Sequence, residues 1–214
     1  MAHHFWTGER VTLRAVEPGD AGTYFKYGAD YDDEADRCCD EIHFPTSHDG
    51  MVRRIEAMSA GEPANDEYLW IIENADRIAV GNINTFGCSR RNGTFRYGLG
   101  INRAYWGRGY AKDAIRLILR YYFFELRYQK VTAFIYAFNE RSIRLHESLG
   151  FQPEGRLRRA VYTDGQYYDE LFYGMTKEEF ERMYPAGAVS AAGNAGGCEM
   201  SGSRAAPGGR EEEV

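Results

Sequence analysis

Ile101-Asn102-Arg103-Ala104-Tyr105-Trp106-Gly107-Arg108-Gly109-Tyr110-Ala111-Lys112 is the stretch whose reading decides the fold. Upstream of it, Thr94 to Asn102 is a β-forming run. Downstream, Ala111, Ala114, Ile115, Ile118, Tyr122 and Leu126 recur at spacings of three and four, the one-sided apolar pattern of an amphipathic helix. A strand therefore turns through two glycines straight into a helix. Glycines let a backbone approach a ligand closely and aim its N–H groups outward. The helix start adds unpaired N–H donors and the positive end of the helix dipole. Such a corner is a seat for a pyrophosphate. It is neither a Rossmann loop, which needs a third glycine in G-x-G-x-x-G, nor a P-loop, which needs G-x-x-x-x-G-K-S/T.

Working outward, the remaining elements alternate. Val11 to Arg14 reads as a strand, and Pro18-Gly19-Asp20 opens a helix with Asp20 as its N-cap. Thr46 or Ser47 caps a second helix that runs through Met58 and ends at Gly61. Tyr68–Glu73 and Arg77–Asn84 are strands around an Asn74-Ala75-Asp76 turn. Beyond the central helix, Lys130 to Phe138 is a strand and Asn139 to Leu149 a helix closed by Gly150 and Phe151. Asp164-Gly165 then joins two strands in a hairpin. The order is strand, two helices, three strands, helix, strand, helix, hairpin, which predicts an α/β fold with a mixed sheet.

Asn139-Glu140-Arg141-Ser142-Ile143-Arg144-Leu145-His146-Glu147-Ser148-Leu149-Gly150-Phe151 is the second informative block. With Trp106-Gly107-Arg108-Gly109-Tyr110-Ala111 it resembles the GNAT acyltransferases, which use acetyl-CoA to acetylate amines. The family's phosphate-binding pattern is Q/R-x-x-G-x-G/A, with Trp106 here in the place of Gln or Arg. Spacing and element order agree from Val11 to about Phe180. Phe151-Gln152-Pro153-Glu154-Gly155 and the hairpin bring the chain near the branch of ribosomal-protein N-terminal and spermidine N-acetyltransferases. The resemblance implies a mostly antiparallel mixed sheet, splayed near the cofactor and flanked by helices.

It also implies roles. Backbone groups of Leu99, Gly100 and Ile101 would pair with the pantetheine arm of acetyl-CoA. N–H groups from Trp106, Gly107, Arg108, Gly109, Tyr110, Ala111 and Lys112 would hold its pyrophosphate. Asn139 and Ser142 would border the pantetheine, although Asn139 also suits a plain helix cap. His146 stands seven residues after Asn139 and four after Ser142, on one helix face. Related spermidine enzymes often carry a tyrosine there as general acid. Histidine keeps a transferable proton at a reference pKa near 6.5, and a packed core histidine is the plainer reading. No carboxylate stands on the strand before Gly98, where some relatives place a base; Arg96 is there instead.

The acidic stretch Asp30 to Glu41 joins the first two helices, and the resemblance puts that join beside the acceptor site. Glu34, Asp40 and Glu41 would then favour a cationic, polyamine-like amine. A protein N-terminus is the alternative acceptor, and a non-catalytic acyl-CoA-binding module a third reading. No metal is expected.

The 214 residues are 43% hydrophobic, 27% charged and 14% aromatic, with a formal net charge of −6. That aromatic content excludes disorder of the whole chain. The negative balance argues against a general nucleic-acid binder, and no apolar run is long enough to span a membrane. Residues 1–184 read as one domain. Residues 185–214, rich in Gly and Ala and lacking aromatics, read as a disordered tail. The cysteines make no C-x-x-C pair, so reduced thiols and a cytoplasmic protein are expected. The run Tyr121-Tyr122-Phe123-Phe124 reads as helix core, and an exposed aromatic helix face would permit a homo-oligomer.

Overall fold

Seven strands form one sheet in the order β1-β2-β3-β4-β5-β7-β6. They are β1 (Val11–Arg14), β2 (Leu69–Asn74), β3 (Ala79–Ser89), β4 (Thr94–Ile101), β5 (Lys130–Tyr136), β6 (Gln152–Thr163) and β7 (Gln166–Thr176). The computed structural model describes residues 5–29 and 44–185. Glu34, Asp40, Glu41 and the chain from 186 to 214 lie outside the described residues. Every strand pairing is antiparallel except that of β4 with β5. The helices are α1 (Ala21–Ala29), α2 (His48–Ser59), α3 (Tyr110–Arg120), α4 (Glu140–Leu149) and α5 (Lys177–Met183). The mixed α/β sheet expected from the element order is observed. α5 is added to it: a seven-residue helix with the Thr176 and Glu179 capping box and one buried anchor, Phe180.

Two apolar layers cover the sheet. On one side α3, whose Ala114, Ile115, Ile118 and Leu119 are buried, packs on Ile72, Val80, Ile83, Phe95 and Val131. On the other, α1 and α2 place Tyr24, Met51 and Ile55 against Ile71 and Ala79. Alternation along the strands follows from these contacts: Trp70 and Ile72 face α3, and Ile71 faces α1 and α2.

One local expectation is corrected. Pro18–Asp20 forms a 3-10 turn ahead of α1. The Asp20 carboxylate turns back to accept the Glu17 N–H at 2.8 Å and is held by the Arg14 guanidinium at 2.7 Å. It therefore closes an ion cluster with Glu73, 2.7 Å from Arg14, instead of capping α1. Arg14 holds the Asp20 carboxyl below the usual range against the opposing effect of burial. The aromatic run is core, as its residue types suggest: Tyr122 and Phe123 are buried. Tyr121–Glu125 is a π turn continuing α3. Tyr121 packs on Phe5 and Trp6, with ring centroids at 5.9 and 4.3 Å, and Phe124 packs on Phe180. Tyr121 and Phe124 thus pack half-buried within the chain.

Asp113, buried in the first turn of α3, ties that helix to the start of β1. Its Oδ2 accepts the Arg10 N–H at 2.7 Å and the Val11 N–H at 3.1 Å. Asp113→Ala leaves both donors without their acceptor. At about 1–3 kcal/mol for each stranded group, a loss of about 3 kcal/mol in unfolding free energy is expected, measured by urea titration. A loss below about 0.5 kcal/mol would mean that water replaces the carboxylate.

Candidate active site

β4 and β5 pair only at Thr94–Arg96 with Lys130–Thr132. Beyond that point β4 continues to Ile101 along β3, and β5 continues to Tyr136 along β7. The sheet therefore opens into a V. Residues 97–101 of β4, which include Leu99, Gly100 and Ile101, have no strand partner on the side of β5. An unpaired strand edge in a slot accepts an extended, amide-bearing ligand as an added strand.

The two-glycine corner sits at the open end of this V. Gly107 and Gly109 take left-handed backbone angles, φ 74° and 81°. Gly109 is the N-cap of α3 and has no side chain to cap it. The N–H groups of Tyr110, Ala111 and Lys112 thus head an eleven-residue helix without a side-chain acceptor at the N-cap. A hollow of about 420 Å³ lies beside them, and Arg10, Arg108, Lys112 and Arg116 line it with Glu9 and Asp113. Asp113 is occupied by β1, and Glu9 stands 3.7 Å from Arg116. Four cations and a helix N-terminus give the hollow a positive character suited to phosphate.

Trp106 serves a different purpose from the Gln or Arg it replaces. Its indole N–H donates to the Ile101 carbonyl at 2.7 Å, locking the corner onto the end of β4. The Arg141 guanidinium, from α4, lies 3.6 Å from its ring centroid. Lys112 also crosses to α4, donating to the Ser148 carbonyl at 3.0 Å. The two arms of the slot are thereby braced together. Arg108 lies over Tyr105.

On α4, the Asn139 carboxamide oxygen accepts the Ser142 N–H at 3.0 Å, the capping role its residue type suggests. His146 does not border open solvent: it is 6% exposed. Its Nδ1 is 2.7 Å from the Ser142 carbonyl, which only accepts, so Nδ1 carries the proton. Nε2 is then the acceptor for the Tyr97 hydroxyl at 2.7 Å. Burial lowers the His146 pKa below 6.5, with the Ser142 contact opposing, and burial raises that of Tyr97 well above 10. Both are neutral at neutral pH. Tyr97 is the first β4 residue past the paired segment, so this buried pair sits at the vertex of the V.

The face of the sheet opposite α3 carries Asn82 and Asn84 of β3, which pair with Gly100 and Gly98. A Cβ on Gly98 would lie 2.7 Å from Asn84 Oδ1, so the bare strand leaves room for that carboxamide. Burial pushes the Tyr24 phenol on α1 up to about 12, with the Asn82 side chain opposing. A second hollow, about 350 Å³, lies far from the V. Its Asp66 is spent on Arg90 and on the Tyr128 hydroxyl, which marks a structural anchor for the β3–β4 hairpin.

Among the described residues, no cluster of His, Cys, Asp and Glu is placed to hold a metal ion. No described helix is long and apolar enough to cross a membrane.

Tyr97, Arg10, Arg116 and Arg141 escape the sequence reading. Arg116, four residues after Lys112 and on its helix side, is the one with a local signal. Arg10 and Tyr97 reach the site only through packing.

The acetyltransferase (GNAT) domain family matches residues 10–152. An SPbeta prophage-derived N-acetyltransferase of Bacillus subtilis (strain 168), YokL, is 46% identical over 181 residues, 85% of this chain and 98% of the relative. A spermidine N(1)-acetyltransferase of Vibrio cholerae is 25% identical over 49% of this chain and 61% of its own. The solved structure of a Vibrio cholerae spermidine N-acetyltransferase, in complex with CoA and spermine, superposes with a TM-score of 0.68. It covers 79% of this chain and 97% of that one at 20% identity, a likeness of fold alone.

Proposed function

The chain belongs to the GNAT acetyltransferase family, and from that premise we propose that it moves an acetyl group from acetyl-CoA to a primary amine of a small molecule. The observation that carries this reading is the V between β4 and β5, with the uncapped α3 N-terminus and its basic hollow at the open end. The pyrophosphate would lie against the N–H groups from Gly107 to Lys112, with Arg10, Arg108 and Arg116 around it; the Trp106 N–H, expected among these donors, is instead spent on the Arg103 carbonyl at 3.2 Å, which closes the preceding 3-10 turn. The pantetheine runs down the V along Leu99, Gly100 and Ile101, flanked by Asn139 and Ser142. The residues fit the group: Gly107 has open space where a Cβ would stand, and Gly109 has Arg10 Cδ at 3.2 Å from that position.

In the transfer step the amine nitrogen forms a bond to the thioester carbon. The carbon–sulfur bond then breaks, the nitrogen loses a proton and the thiolate gains one. The nitrogen must be unprotonated to attack, so a base or a water relay takes the proton. A β4 N–H near Leu99 stabilises the oxyanion. His146 belongs to this proton path only through the Tyr97 hydroxyl. Polyamine-like cations and protein N-termini are the acceptor classes that the sequence suggests. The carboxylates behind the first, Glu34, Asp40 and Glu41, lie outside the described residues, while the relationship to spermidine acetyltransferases speaks for it.

Release of CoA thiol on adding amines to protein and acetyl-CoA, with the N-acetyl product seen by mass spectrometry, tests the reading. Acetyl-CoA binding with no turnover on any amine would leave only a binding module.

A further inference from the structure

We propose that Arg141, held on the face of Trp106, binds the phosphate that joins pantetheine to the nucleotide in acetyl-CoA. The contact comes from α4, outside the two-glycine corner. It rests on the acetyl-CoA site proposed above and assigns that site a further residue.

Both N–H groups of Trp106 are spent within the corner. The backbone N–H closes the 3-10 turn on the Arg103 carbonyl at 3.2 Å, and the indole N–H reaches the Ile101 carbonyl at 2.7 Å. The run of outward donors therefore begins at Gly107. Trp106 itself offers a ligand a half-buried ring and no hydrogen bond. That ring is tied to the end of β4, between the strand segment 99–101 and the donors from Gly107 onward. On the proposed path of acetyl-CoA, this is the junction where pantetheine ends and its phosphate begins.

Arg141 reaches that junction from the other arm of the V. It is the second residue of α4, between the Asn139 cap and Ser142. Its Cζ stands 3.6 Å from the Trp106 ring centroid, van der Waals contact for carbon atoms, so the guanidinium rests on the indole face. Arg103 approaches the same ring only to 5.7 Å. Glu140, next to Arg141 in the chain, is turned to Arg144 at 2.9 Å. A guanidinium on a ring is attracted by the ring's quadrupole and still presents N–H groups at its edge. Arg141 is an exposed side chain, and a fixed indole beneath it lowers the entropy cost of ordering it on a ligand. Its planar fork matches two oxygens of one phosphate. The cations of the hollow, Arg10, Arg108, Lys112 and Arg116, come from β1, the corner and α3. Arg141 adds a charge from the opposite arm, so a phosphate at the junction is held from both sides.

Calorimetry tests this, directly for CoA and dephospho-CoA and by competition with CoA for phosphopantetheine and pantetheine. Arg141→Ala is expected to bind CoA, dephospho-CoA and phosphopantetheine about tenfold more weakly or worse, with pantetheine unchanged. Arg141→Lys should recover part of the loss, as a point charge without the fork. In a Trp106→Ala background, Arg141→Ala should change little, because the ring acts through the guanidinium. Thermal melts confirm that each variant is folded. If Arg141→Ala stays within about threefold of the parent for CoA, or weakens pantetheine as much as phosphopantetheine, Arg141 only braces α4 against the corner and the inference is overturned. A loss confined to CoA, sparing dephospho-CoA and phosphopantetheine, would put Arg141 on the 3′-phosphate and overturn it too. Turnover is read separately. With the Arg141 effect present and no amine acetylated, the transferase reading alone fails. With an amine acetylated and the effect absent, this inference alone fails. A parent protein that does not bind CoA overturns both.

Discussion

Gly109→Val is expected to lower acetyl-CoA affinity by about 100-fold or more. Gly109 is the N-cap of α3 at φ 81°, a conformation that costs an L-residue about 1–2 kcal/mol, and more when branched at Cβ. A Cβ would also press on Arg10 Cδ at 3.2 Å, displacing a cation of the phosphate hollow. Relief of either strain rotates the first-turn N–H groups away from the ligand. Charge-assisted bonds are worth about 1.5–3 kcal/mol each, so the loss of one or two accounts for the expected factor. Gly107→Ala is the graded control. A Cβ there meets nothing, leaving only the backbone cost of φ 74° and about a tenfold loss. Calorimetric titration with acetyl-CoA reads both, and a thermal melt confirms that each variant is folded. An unchanged affinity for Gly109→Val would move the phosphate seat elsewhere.

What was legible in the sequence follows from range. The β4–α3 corner could be read because its glycines, its preceding strand and the apolar repeat of α3 are neighbours in the chain. Gly150 as the left-handed close of α4, φ 94°, and Ser47 as the cap of α2 are signals of the same local kind. Asp20 was misread because its type fits a cap, while its carboxylate is claimed by Arg14, six residues back on a strand. α5 carries a T-x-x-E capping box, but one buried phenylalanine in seven residues makes no periodicity to notice. The Tyr97–His146 bond spans 49 residues and exists only because α4 packs across the vertex of the V. Nor does the sequence tell that the Arg96 guanidinium of β4 lies over the Phe134 ring of β5, a matter of side-chain conformation between two strands.

His146→Ala is expected to lose both stability and turnover, for separable reasons. The imidazole fills a buried site between Tyr97 and Phe151, with ring centroids at 5.9 and 5.1 Å. Its removal leaves the Tyr97 hydroxyl without its partner, at about 1–3 kcal/mol, and opens a cavity besides. A combined loss of about 3 kcal/mol should appear in urea unfolding. Protonation works against this site as well. The native pKa lies below the unfolded value near 6.5, because burial disfavours the imidazolium. As pH falls through 6.5 the unfolded chain takes up a proton that the native protein refuses. Stability contributed by the neutral imidazole is therefore present above 6.5. It declines by up to about 1.4 kcal/mol per pH unit until the native pKa is reached. His146→Gln, which has no titrating group, should lack that part of the decline. Turnover is the second effect. The sequence suggested a partly protonated histidine handing a proton to the thiolate, and burial removes that role. What survives is a neutral relay through the buried Tyr97 hydroxyl, which donates to His146 Nε2. Loss of one proton-transfer group costs about 10²–10⁴-fold in turnover, with acetyl-CoA affinity unchanged, and Tyr97→Phe should match it. A folded His146→Ala protein that turns over within a few-fold of the parent would reduce the pair to packing and send the proton through water.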